Sequence, residues 1–432
     1  MKVCVVGLWH LGSVTAACLA SGGHRVVGLD FDAAVIVDLN NGKPPLFEPG
    51  LEDLVKNGLK TQTLEFSTSP EDAVGGAQVI WVAYDTPVDA DDVADVDYVV
   101  ERVSRLFPHM EAGQEVLVSS QLPVGTTRSL ELRFAAARPG IDVSFSYSPE
   151  NLRLGKAIAV FQRPDRIVIG TRAQKSRRVF AELLAPFTEH IEWMSVQSAE
   201  MSKHALNAFL ATSVTFINEI ADLCEQVGAD AKEVERALKT ESRIGPLAYL
   251  SPGAAFAGGT LARDIAFLTK LGHESDLPLH LVSAVRLSND AHKNWPRRRL
   301  LQLLHGINGK TIAVWGLTYK AGTDTLRRSS AIELCQWLLA QGAKVQAHDP
   351  AIKRLPEHYA AISLHASPLE AAHAAHALVV ATEWPEYRAV SMGETLAAMR
   401  TPIVLDANRF LAASIESLPG VAYAAVGMPV QT

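Results

Sequence analysis

Cysteine is scarce in this 432-residue chain, and the four present have no spacing that would make them a site. Cys4, Cys18, Cys224 and Cys335 stand far apart, which excludes zinc-type or redox pairs formed by neighbours in sequence. Each lies in an apolar stretch and reads as a buried thiol. Long apolar runs are also missing, since none reaches the ~18 residues that span a bilayer. The opening Met1-Lys2-Val3-Cys4-Val5-Val6 passes at once into Gly7-Leu8-Trp9-His10, without a small-residue cleavage pattern. It therefore predicts a first strand rather than a secretory leader, and with it a cytoplasmic protein. Positive charge is short as well: 40 Lys and Arg against 47 Asp and Glu give a net charge of −7. With no basic cluster interleaved with aromatics, nucleic acid is excluded as a partner. The run Arg297-Arg298-Arg299 predicts a solvated helix end. There is no low-complexity linker, no short repeat and no metal-ligand spacing, so no metal is expected.

What is present is an ordinary globular composition, 48% hydrophobic and 20% charged, on a chain long enough for two or three cores. Two segments share a strand, a glycine turn, a helix and a second strand ending in aspartate. The first runs from Lys2 through Gly7 and a helix to about Ser21, then Arg25 to Asp30. The second runs from Thr311 through Gly316 and a helix near Ser330–Leu339, then Lys344 to Asp349. Each is the βαβ half of a doubly wound sheet. Further strands are predicted at Val79–Val82, Val116–Ser119, Ile167–Gly170, Ala377–Ala381 and Ile403–Leu405. Between the two regions, Ser198 to Val227 reads as one long helix, with more helices around the glycine- and proline-rich stretch Gly245–Gly259. The expected fold is α/β: two Rossmann-like doubly wound parallel-sheet domains joined by a central all-α domain. The boundaries fall at 1–195, 196–295 and 296–432.

Gly7-Leu8-Trp9-His10-Leu11-Gly12 follows a strand and opens a helix, the context a dinucleotide fingerprint requires. Gly7 makes the tight turn, Gly12 lets helix and strand approach, and the helix N-terminus faces a pyrophosphate. Asp30, eighteen residues after Gly12, ends the second strand. A carboxylate there accepts from ribose hydroxyls and repels a 2′-phosphate, which favours NAD over NADP. Trp9 departs from the pattern, standing where a second glycine usually lets backbone approach phosphate. A turn of this kind that binds no cofactor is the alternative.

Several ordered stretches then resemble the UDP-glucose/GDP-mannose dehydrogenase family over nearly the whole chain. Phe47-Glu48-Pro49-Gly50-Leu51 is similar to its EPGL segment and Asp85-Thr86-Pro87 to its TP turn. Pro123-Val124-Gly125-Thr126-Thr127 matches its PVGTT loop, and Ser148-Pro149-Glu150 its NPE. Pro164 to Gly170 follows in place. Gly316-Leu317-Thr318-Tyr319-Lys320 resembles GLxFK, and Ala381-Thr382-Glu383-Trp384 the ATEW strand end. The resemblance implies NAD-dependent oxidation of a nucleotide-sugar C6 alcohol to a carboxylate, through a cysteine thiohemiacetal and thioester, in polysaccharide biosynthesis. It implies Glu150 as general base for thioester hydrolysis, and Lys203 and Asn207 as oxyanion-stabilising groups on one helical face. Asp264 would order water or accept a proton. Gly7 to Gly12 (with Leu8, Trp9, His10 and Leu11), Asp30, Thr86, Gln121, Arg263 and Arg327 would hold the cofactor. Glu150, Leu152, Leu154, Lys203, Asn207, Arg243, Tyr249, Gly253, Phe256 and Lys320 would hold the sugar nucleotide, a UDP-sugar, with Arg243 reaching it from a partner subunit. A homodimer is therefore expected.

The chain departs from the family where the chemistry is most demanding. The family loop reads roughly GFGGxCxPKD, and the aligned stretch is Ala255-Phe256-Ala257-Gly258-Gly259-Thr260-Leu261-Ala262-Arg263-Asp264. Thr260 stands in for the cysteine and Arg263 for lysine. A threonine hydroxyl is not ionised near neutral pH, whereas a free thiol is partly so, which excludes covalent capture as a thioester. Gln121 replaces a threonine, Leu154 a glutamate, and Asn408-Arg409 an arginine-asparagine pair. Three functions stay open: an NAD-dependent oxidoreductase without thioester chemistry, an isomerase that oxidises transiently with bound NAD, and a non-catalytic nucleotide-sugar-binding protein.

Overall fold

The computed structural model describes residues 1–87, 94–150, 152–257 and 259–429. The chain divides into two compact units, Met1–Leu206 and Asn207–Thr432. The first is built on an eight-stranded sheet: β1 (Lys2–Val6), β2 (Arg25–Leu29), β3 (Leu64–Ser67), β4 (Val79–Val82), β5 (Glu115–Val118), β6 (Ser144–Tyr147), β7 (Ile167–Gly170) and β8 (Ile191–Met194). Their order is β3-β2-β1-β4-β5-β6-β7-β8. Pairing is parallel from β3 to β6 and between β7 and β8, but β7 meets β6 antiparallel at Tyr147 and Gly170. The expected parallel sheet is thus present, with one antiparallel junction between β6 and β7.

Burial on both faces explains why the strands read as continuous apolar runs. In β1, Cys4 and Val6 enter one core cluster while Val3 and Val5 enter the other. The period of two sends alternate side chains to opposite faces, and helices cover both. Each such fully buried aliphatic side chain contributes about 1.5–3 kcal/mol. The helix His10–Ser21 is buried from Leu11 to Ala20. Its small residues, Gly12, Ser13, Ala16 and Ala17, let it pack against the sheet and against the helices Leu51–Lys60 and Ala157–Gln162.

The second unit carries a six-stranded, all-parallel sheet: β9 (Thr311–Trp315), β10 (Lys344–His348), β11 (Ser363–Leu364), β12 (Ala377–Val380), β13 (Ile403–Asp406) and β14 (Ala422–Ala424). Its order is β11-β10-β9-β12-β13-β14. In both sheets the order reverses beside the first strand, and ligands bind in the crevice at such a reversal.

Helices fill the middle of the chain. The longest spans Val196–Val227, followed by Ala231–Thr240, Thr260–Glu274, His280–His292 and Trp295–Leu304. The arginine run lies at the start of the last of these, and its solvated reading needs correction. Arg299 is buried, with its Nε 3.9 Å from the Glu225 carboxylate. Glu225 also accepts from Trp295 Nε1 at 2.7 Å and Gly427 N at 3.0 Å. A carboxylate buried by this packing requires cationic and N–H partners, and Arg299 supplies one. Arg298 alone keeps the surface role, pairing with Asp222 at 3.0 Å.

Candidate nucleotide clefts and reactive groups

Gly7 follows β1 with φ +88 and donates its N–H to Leu29 O at 2.9 Å. A Cβ on Gly7 would lie 2.5 Å from the Tyr84 ring, and one on Gly12 would lie 1.7 Å from Gly7 O. Both positions therefore demand glycine. Asp30, just past β2, pins the turn: its Oδ2 accepts from Leu8 N at 2.7 Å and its Oδ1 from Asp32 N at 3.1 Å. Trp9 sits at the N-cap of the first helix with φ −77, a conformation open to any L-residue, and its side chain is half exposed. The φ at the missing second glycine thus does not call for glycine. Gly7, Leu8, Trp9, Asp30, Asp32 and Tyr84 line a cleft of ≈ 310 Å³.

The structure assigns the other expected cofactor residues in this unit to unequal positions. Leu8 and Leu11 are core side chains that also border cavities, Leu8 this cleft and Leu11 a second one. His10 turns to Glu48, Nε2 to Oε2 at 3.0 Å, and the same carboxylate accepts from Gly155 N at 2.7 Å and Ala157 N at 2.8 Å. Glu48 therefore ties the first helix to the loop after Glu150. Thr86 and Gln121 come together past the ends of β4 and β5, Thr86 Oγ1 donating to Gln121 O at 2.8 Å.

Glu150 and Lys203 are also brought together: the Lys203 ammonium donates to the Glu150 carbonyl, and the Glu150 carboxylate accepts from Leu152 N. Burial pushes the Glu150 carboxyl up, opposed by the Lys203 charge and the Leu152 N–H. Leu152 and Glu150 border a small apolar cavity with Leu11, Trp81 and Phe161. Leu154 is half-buried.

In the second unit the glycine turn after β9 repeats the device more tightly. Gly316 has φ +87, and a Cβ there would lie 2.4 Å from Thr382 Cβ. Asp349, past β10, accepts from Leu317 N at 2.7 Å, Thr318 N at 3.0 Å and Trp384 Nε1 at 3.1 Å. It is 2% exposed, so it braces the turn and does not face a ligand. Beside it lies a cleft of ≈ 410 Å³ lined by Ala254, Ala255, Thr318, Tyr319, Lys320 and Asn408, among others. Lys320 and Arg327 are exposed.

The loop leading to Thr260 is held by Asn408 and by three side chains that the sequence did not mark. Gly253 N donates to Asn218 Oδ1 at 3.0 Å, and Gly253 O accepts from His292 Nε2 at 2.9 Å. Ala254 N donates to Asn408 Oδ1 at 2.7 Å, whose place beside Gly253 leaves no room for a Cβ. Phe256 is bonded through both N and O to Asn289, at 3.0 and 2.8 Å. The one available signal was asparagine inside otherwise apolar helices, where its propensity is poor. Arg409, at φ +57, is bidentate to Asp230 at 2.6 and 3.0 Å. The swapped Asn408-Arg409 pair thus puts an amide at the cleft and commits the guanidinium elsewhere.

Thr260 is exposed and opens the helix Thr260–Glu274 after Gly259 at φ +115. Asp264, one turn on, is 1% exposed and accepts from Asn207 Nδ2, so this expected pair also meets. Arg263 is half-buried on the same turn, and Gly258 lies outside the described residues. Arg243 and Tyr249 are exposed, Arg243 pairing with Glu241 at 3.0 Å. All four cysteines are free and buried. Burial pushes the Cys4, Cys18 and Cys335 thiols up to about 12 and raises Cys224. No helix among the described residues is long and apolar enough to cross a membrane.

Comparison with known proteins agrees with this division of labour. Residues 1–188 match the family model of the UDP-glucose/GDP-mannose dehydrogenase NAD binding domain, 197–291 its central domain and 313–413 its UDP binding domain. UDP-glucose 6-dehydrogenase of Rhizobium meliloti is 35% identical over 99% of this chain and 100% of its own length. That of Pseudomonas aeruginosa is 33% identical over 99% and 98%. The structure of a UDP-glucose dehydrogenase from Pyrobaculum islandicum superposes with a TM-score of 0.87 at 30% identity, covering 99% of this chain and 98% of that one. A UDP-D-ManNAc dehydrogenase from Pyrococcus horikoshii gives 0.85 at 25% identity, with 99% of each chain covered. The expected resemblance holds from end to end, and the chain belongs to the UDP-glucose/GDP-mannose dehydrogenase family, with NAD as its cofactor.

Proposed function

We propose that this chain is a UDP-sugar dehydrogenase that oxidises a C6 alcohol without a covalent enzyme–sugar intermediate. The observation that carries it is the exposed Thr260 at the nucleophile's position, while every thiol is buried and protonated. The first unit fits NAD. The absent Cβ atoms of Gly7 and Gly12 keep the turn tight, Trp9 keeps a negative φ, and Asp30 stands in the cleft wall with lone pairs to spare for ribose hydroxyls. When bound, NAD accepts a hydride from the alcohol carbon.

The chain's own groups handle protons and charge. The Lys203 ammonium stabilises negative charge developing on the sugar oxygen, and the Glu150 carboxyl, made more basic by burial, accepts a proton. Asn207 orients the Asp264 carboxylate, which orders water. Thr260 Oγ contributes a hydrogen bond but no covalent bond. The cofactor contacts of Thr86, Gln121, Arg263 and Arg327, and the substrate contacts of Leu152, Leu154, Gly253, Phe256 and Lys320, belong to the same reading. So does the three-part division at 195 and 295, which follows the all-α composition of the middle segment. Without a thiol to hold the aldehyde, oxidation stops there or proceeds to the acid through the aldehyde hydrate.

A homodimer is part of this reading. Phe209, Phe216, Leu223 and Val227 are exposed along the Val196–Val227 helix at spacings of seven, seven and four. That spacing keeps them on one stripe, which a second copy would cover. Arg243 and Tyr249 would then meet the partner's substrate. Four buried thiols suit a cytoplasmic, reducing compartment.

The test is to mix the protein with NAD and UDP-glucose, then with other UDP-sugars, following NADH absorbance and product mass with hydroxylamine present. The expected product is an oxime-trapped aldehyde with one NADH per sugar. Two NADH per sugar would mark the hydrate route to the acid, whereas a covalent sugar adduct on the protein by mass spectrometry would defeat the non-covalent reading. An altered sugar without net NADH would instead identify an isomerase.

A further inference from the structure

In the second unit, one aromatic ring links the cleft beside Lys320 to the helix that Thr260 opens. Tyr319 stands where the family's GLxFK segment has phenylalanine, so its hydroxyl is an addition of this chain. The residue lines the cleft and is 37% exposed. A Cβ on Gly259, directly before Thr260, would lie 3.3 Å from Tyr319 Oη. The ring therefore runs from the cleft wall to the start of the helix Thr260–Glu274.

The turn behind the ring is fixed. Asp349 accepts from Leu317 N and Thr318 N, and Tyr319 N donates to Thr325 O at 2.8 Å. A tyrosine has only two side-chain torsions, so on such a turn it loses little freedom when it meets a ligand. The charged residues lining the cleft are Lys320 and Glu383, because Asn408 puts an amide where the family has arginine. One cation serves a diphosphate, and the rest of the ligand meets mainly neutral groups. A phenol has one donor and two acceptor sites, so a bond within the protein leaves it able to make another. A sugar hydroxyl also donates and accepts, and a phenol can answer it in either direction.

We propose that Tyr319 is a specificity-determining residue for the sugar, its Oη hydrogen-bonding a hydroxyl of the hexose while the nucleotide lies along the cleft. This deepens the UDP-sugar reading above and rests on it. Thr260 holds the position where the family's chemistry meets C6, so a hydroxyl against Gly259 stands on the sugar side of the nucleotide. The phenylalanine of the family offers the same ring without that bond. Tyr319 therefore adds selection among hexoses that the nucleotide contacts do not supply.

The experiment compares wild-type protein with Tyr319→Phe by calorimetric titration of UDP, UDP-glucose and UDP-galactose, none of which needs NAD or turnover. Tyr319→Phe should bind the sugar nucleotide that wild type prefers about tenfold more weakly, as expected for one lost hydrogen bond. Its affinity for UDP should stay within about twofold of wild type, because UDP carries no hexose. Unchanged affinity for the preferred sugar nucleotide overturns the assignment. An equal loss for UDP overturns it as well, by giving the hydroxyl to the nucleotide or to the shape of the loop. If wild type binds neither sugar nucleotide, it is the UDP-sugar reading that fails, and that control tells the two failures apart.

Discussion

Glu115 opens β5 in the first unit with its side chain fully buried and both carboxylate oxygens without a hydrogen bond. Burial raises its pKa, with Ser176 and Lys175 opposing and Asp142 assisting. A carboxyl whose folded-state pKa lies above its unfolded value stabilises the fold below the unfolded value, near 4.3, and loses that contribution as pH rises through the folded one. Glu115→Gln cannot ionise, so it should be the more stable protein at pH 7–8, by about 1 kcal/mol. The gain should vanish below about pH 4.3, where the wild-type carboxyl is protonated in both states. Urea midpoints across that range would check this, and a variant less stable at pH 8 would show that Glu115 is ionised and paired. Glu150 resembles it in the direction of its shift but not in its setting, since the Lys203 ammonium and the Leu152 N–H give its charged form two reasons to exist. Burial alone therefore does not separate a reactive carboxyl from a structural one. The neighbours do.

Among the elements, the stretch 253–256 shows how a loop without regular structure is made rigid. Asn218 and Asn289, from two helices, take up its backbone groups together with His292 and Asn408. Asn289→Ala would leave both N and O of Phe256 unanswered in a half-buried place and should cost about 2 kcal/mol. Chemical denaturation measures that directly, and a loss below 0.5 kcal/mol, the low end for one net hydrogen bond, would mean that water replaces the amide. Such clamps were invisible in the sequence because a helix pattern records which face is apolar, not which loop an amide reaches. Strands were legible in proportion to their burial. The runs at β1, β4, β7, β9 and β12 stand out because nearly every residue is buried. Leu64–Ser67, Ser144–Tyr147 and Ile191–Met194 escaped, being four residues each with polar or charged members. The two glycine turns were legible for a different reason, since positive φ and a forbidden Cβ leave glycine alone able to serve. The pinning role of Asp30 and Asp349 was not, because ribose recognition and turn bracing call for the same residue at the same place.

At the scale of the whole molecule, the stripe on the Val196–Val227 helix is apolar surface that one chain leaves uncovered. Phe216→Glu puts a charge at the middle of the stripe without touching either nucleotide cleft. It should convert a dimer to a monomer in light scattering at micromolar concentration, with NAD affinity within about twofold of wild type. A wild-type monomer, or a Phe216→Glu dimer, would assign the stripe to another partner. Sequence motifs placed the family, but the dimer was expected only from the length of that helix and the partner-reaching role implied for Arg243, since exposure is a property of the folded chain. One further consequence concerns sulfur. The cysteine that the family's chemistry implies is also the residue that alkylating agents and peroxides attack first; on the proposed reading Thr260 stands in its place, and all four thiols are buried. On that reading its turnover should therefore withstand iodoacetamide, which meets no exposed thiol in this chain.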